Sequence, residues 1–145
     1  MKATKTLILG FRSVIDHLQR NKNYNWDYVH ICNCGLLARA LLGVDGSGLM
    51  KLINEDVESY IRGSWTNMAS LGNGYCKMTG QPNWMIFREL AKHGLEKEDF
   101  EVIERCGRTR EQVIRWFETK VEMLEQELKA SKSQHSVCCE TASTG

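Results

Sequence analysis

Apolar residues recur along most of this chain at helical intervals. Leu7, Phe11, Val14 and Leu18 are spaced by four, three and four, with Ile8 and Ile15 beside them. That stripe predicts an amphipathic helix over about 4–21, and Gly10 is the weak point in it. From Asn21 to His30 the chain is polar and aromatic, which predicts a loop whose aromatic rings pin it to the core. Asn33 has the chemistry of an N-cap and opens a helix through Leu36–Leu42. That run is apolar nearly all round, so the helix should be central, and Gly43 ends it. The glycine-rich 43–48 connector lacks the Lys-Ser/Thr of a phosphate-binding loop. A third helix is predicted from about Leu49 to Arg62, with Gly63 after it. A short helix from Ser64 and the turn signal Gly72-Asn73-Gly74 follow. Pro82 suits the first position of a helix to about His93, closed by Gly94. Leu95 to Cys106 reads as a short helix with Phe100, Ile103 and Cys106 inward. Thr109-Arg110-Glu111-Gln112 then opens a last helix to about Lys132, striped by Ile114, Phe117, Val121, Leu124 and Leu128.

No segment alternates with period two. The predicted fold class is therefore all-α, with five to six helices in a single orthogonal or bundle-like domain over 1–132. The polar 133–145 segment is expected to be a flexible tail. A chain of 145 residues is long enough to bury a sustaining core. Its 19 Lys+Arg against 18 Asp+Glu argue against a dedicated nucleic-acid binder. No window approaches the 18 apolar residues of a membrane span. The apolar run near the N-terminus is too short for a secretory signal. These readings point to a cytoplasmic protein whose cysteines are thiols rather than disulfides. The last helix keeps heptad spacing for only about two heptads, which favours packing inside its own domain over a homodimer through 109–132.

Cysteine usage changes the picture most. Of 6 Cys, Cys138 and Cys139 lie in the tail and Cys106 in a helix. Cys32, Cys34 and Cys76 each sit just before or at a helix start, in glycine-bearing segments. Three chemistries compete there. Thiolates and imidazole are zinc's preferred donors, so Cys32, Cys34 and Cys76 with His30 could hold zinc, although the C-x-C spacing is tighter than usual. Cys34 could instead be a nucleophile, activated by the positive end of a helix dipole with His30 and Asp27 nearby. The third reading is structural: cysteine often packs as a small buried hydrophobe. His17 falls on the polar side of the first helix, and His93 sits near a helix C-terminus. The preferred expectation is the zinc site, then a structural or interaction module without metal, then a cysteine-nucleophile hydrolase or redox-active thiol protein.

Trp26, Cys32-Asn33-Cys34-Gly35-Leu36-Leu37-Ala38, Trp65, Tyr75-Cys76 with Thr79-Gly80 and Pro82, then Gly94-Leu95 and Asp99 form a recurring combination. It resembles an uncharacterised family of small bacterial proteins of the Bacteroidetes type. The resemblance covers most of the chain except the tail. It implies that Cys32, Cys34 and Cys76 belong together, and it implies no activity.

Overall fold

The computed structural model describes residues 1–144 apart from Asn23, Asp27, 29–30 and 62–83; the side chains of 56–61, Trp84 and 133–144 also lie outside the described set. The described residues form helices and no strand, the all-α class that the spacing predicts. In chain order the helices are α1 (Lys5–Arg20), α2 (Asn33–Leu42), α3 (Gly46–Ile61), α4 (Trp84–Lys92), α5 (Lys97–Arg105) and α6 (Arg110–Thr144). The short helix and turn expected within 64–74, and the Pro82 start, lie outside the described residues.

The predicted stripe of α1 is its buried face: Leu7, Phe11, Val14 and Leu18. Thr4 caps the helix, its hydroxyl accepting from the Leu7 N–H at 3.1 Å. Across from it lies α6, where Phe117 packs on Phe11 with ring centroids 4.9 Å apart. Arg110, at the start of α6, donates to the Leu18 carbonyl at 2.6 Å. A cation there complements the negative end of α1 and satisfies a last-turn carbonyl. Arg12 and Glu125 form an ion pair between the same two helices. The apolar stripe of α6 is thus used inside its own domain, with Phe117, Val121 and Leu124 buried and Leu128 packed at the edge.

Helix α2 is central, as its all-round apolar sequence predicts, and packs on α1, α4 and α5. Gly10 is more than a weak point in α1. A β-carbon there would come within 2.8 Å of the Leu41 side chain, so its bareness lets α1 and α2 approach. Gly43 and Gly94 end α2 and α4 in the left-handed region, at φ of 70° and 85°.

Three boundaries differ from the pattern reading. Helix α3 begins at Gly46 rather than Leu49, because Asp45 caps it by accepting from the Gly48 N–H at 2.7 Å. Helix α2 is capped by Cys32, which leaves Asn33 as its first helical residue. Helix α6 continues to Thr144, past the expected end near Lys132. The 133–144 stretch contains neither Pro nor Gly to stop it.

The turn from α5 to α6 is tight at Gly107. A β-carbon there would meet the Gln112 side chain at 2.7 Å and the Val113 nitrogen at 3.1 Å. Gly107→Ala is expected to cost about 1–3 kcal/mol by forcing this turn open. Urea unfolding measures it, and an unchanged midpoint would show that the turn relaxes without cost.

Candidate functional site

The N-terminus of α2 meets the C-terminus of α5 at a buried polar cluster. Both ends expose backbone groups that their own helices cannot satisfy. The sequence places Cys32-Asn33-Cys34 at one end and Glu104 to Gly107 at the other. Each end supplies what the other lacks.

Asn33 is fully buried. Its carboxamide nitrogen donates to the Ile103 carbonyl at 2.9 Å and the Gly107 carbonyl at 3.0 Å. The Glu104 carbonyl and the Cys106 sulfur lie further out, at 3.3 and 3.5 Å. The amide has two hydrogens, so the two shortest contacts are the principal bonds. Its oxygen accepts from the Tyr24 hydroxyl at 2.6 Å, and that hydroxyl also reaches the Gly107 carbonyl at 3.3 Å. Asn33 therefore closes the end of α5 from a neighbouring helix, instead of capping its own.

Glu104 performs the converse service. It is 3% exposed, and its Oε1 accepts from the Cys34 N–H at 2.8 Å and the Cys32 thiol at 3.5 Å. The Gly35 N–H is taken by the Cys32 sulfur at 3.4 Å. The Cys34 thiol points to the Phe100 carbonyl at 3.7 Å. Burial pushes the Glu104 carboxyl above the ordinary carboxylate range, against the pull of hydrogen bonds from Cys34 and Cys32. Its second oxygen, Oε2, is buried with no hydrogen-bond partner.

Aromatic groups seal the cluster. Trp26 donates from Nε1 to the Glu104 carbonyl at 2.7 Å, and Arg108 lies over its ring at 4.3 Å. Burial, with the Cys106, Cys32 and Glu104 charges nearby, raises the Tyr24 hydroxyl. Cys106 is the C-cap of α5 and is half-buried rather than a core residue. Burial, then the nearby Glu104 charge, pushes its thiol up to about 12.

Of the residues singled out from sequence, Cys32 and Cys34 meet at one carboxyl group. His30 and Cys76 lie outside the described residues, as does Asp27. Among the described residues, no group of three or more His, Cys, Asp or Glu side chains is arranged to hold a metal ion. Glu104 was not singled out by sequence. It lies about 70 residues from the cysteines on a helix with an ordinary amphipathic pattern. Only its position beside Ile103 on the buried side of α5 hinted at burial.

His17 is half-buried on α1, with its Nε2 buried. His93 is near its helix end and 3.5 Å from Glu89. Among the described residues, no helix is long and apolar enough to cross a membrane. No family model, curated protein or solved structure matches this chain.

Proposed function

We propose that this protein is a non-catalytic helical module, and that Cys32, Asn33, Cys34 and Glu104 serve as the latch that fixes α2 against α5. The observation that carries this reading is reciprocal capping. The Glu104 side chain takes a start-of-helix N–H of α2, while the Asn33 side chain takes the Ile103 carbonyl in the last turn of α5 and the Gly107 carbonyl just beyond it. Both cysteines are 3% exposed, and a thiol that donates to a carbonyl is in its protonated, unreactive form. These features weigh against Cys34 as a nucleophile.

Thiol accessibility tests the reading. In the folded protein at pH 8, Cys32 and Cys34 should react with iodoacetamide about 100-fold more slowly than in urea, because labelling waits on opening of the latch. Peptide mass spectrometry resolves each cysteine. Rapid labelling of Cys34 below pH 8 would instead favour the nucleophile.

One observation favours a second reading. Two buried thiols two residues apart at one helix start are also donors that a soft divalent cation would use. Zinc would draw on Cys32 and Cys34, with Cys76 and His30 as the further donors. Binding would release the thiol protons. Stoichiometric zinc in protein purified under reducing conditions, lost in Cys34→Ser, would establish this reading. Metal-free protein whose melting is unaffected by chelators would dismiss it. A homodimer through 109–132 would have to pair on the outer face of α6, where Met123 is 48% exposed.

A further inference from the structure

We draw no further inference here: the strongest candidate, the basic patch where the ends of α1 and α5 meet the turn into α6, carries nothing, because Arg20, Arg108 and Arg110 are already engaged by Asp16, the Trp26 ring and the Leu18 carbonyl, and nothing in the structure shows what would cover the exposed Lys22 and Arg105.

Discussion

Asn33→Ala is expected to destabilise the protein by about 3 kcal/mol, a large effect for the loss of one polar side chain. The change removes two good hydrogen bonds to carbonyls at the end of α5 and the short bond from Tyr24. All of these partners remain in place, and the bond to the Ile103 carbonyl is fully buried. Unsatisfied buried groups cost about 1–3 kcal/mol each when no relaxation rescues them. Asn33→Asp separates the hydrogen bonds from the shape. It keeps the volume but turns donors into acceptors that face carbonyl oxygens, so it should cost more than Asn33→Ala unless the acid protonates. Urea midpoints of the two variants check this. Losses below about 1 kcal/mol in both would mean that the α2–α5 junction is held by packing alone.

Glu104→Ala should cost about 2–4 kcal/mol, and Glu104→Gln far less. Alanine leaves the Cys34 N–H without its acceptor and opens a void. Glutamine retains an oxygen for that N–H and resembles a protonated carboxyl group in shape. The two changes therefore differ in kind. The wild-type protein should also show a pH trend that Glu104→Gln abolishes. Burial raises this carboxyl in the folded protein above its unfolded value of about 4.3. The folded state then holds the proton more tightly, so the Glu104 contribution is fully present below about pH 4.3 and is lost as pH rises through the folded value. Stability of wild type relative to Glu104→Gln should fall over that interval and level off above it. A wild-type curve parallel to that of Glu104→Gln across pH 4–9 would show that Glu104 is ionised in the fold.

The helices were legible because each carries a three-to-four spacing that the fold uses directly. The stripe of α1 became its buried face, and the stripe of α6 became the surface against it. What the spacing could not reveal was partnership between distant polar groups. Asn33 has the side chain of an N-cap and stands at a helix start, so local logic assigned it to its own helix. The fold moved the cap to Cys32 and turned Asn33 to α5, where its amide adds to the donors that Cys106, Trp26 and Tyr24 supply to the same carbonyls. Glu104 was invisible for the same reason: nothing local marks a glutamate that will be buried. Cys32 and Cys34 share a carboxyl group in the described residues, and Cys76, which the sequence reading set beside them, lies outside those residues.

The reciprocal capping also bears on the order of assembly. The groups it joins are about 70 residues apart along the chain. Closing so long a loop is slow and entropically costly compared with winding any one helix. Cys32 caps α2 locally, but the Cys34 N–H gains its carboxyl acceptor only when α5 has docked. The latch thus ties a helix in the first third of the chain to the fifth helix, and it forms only when both are in place.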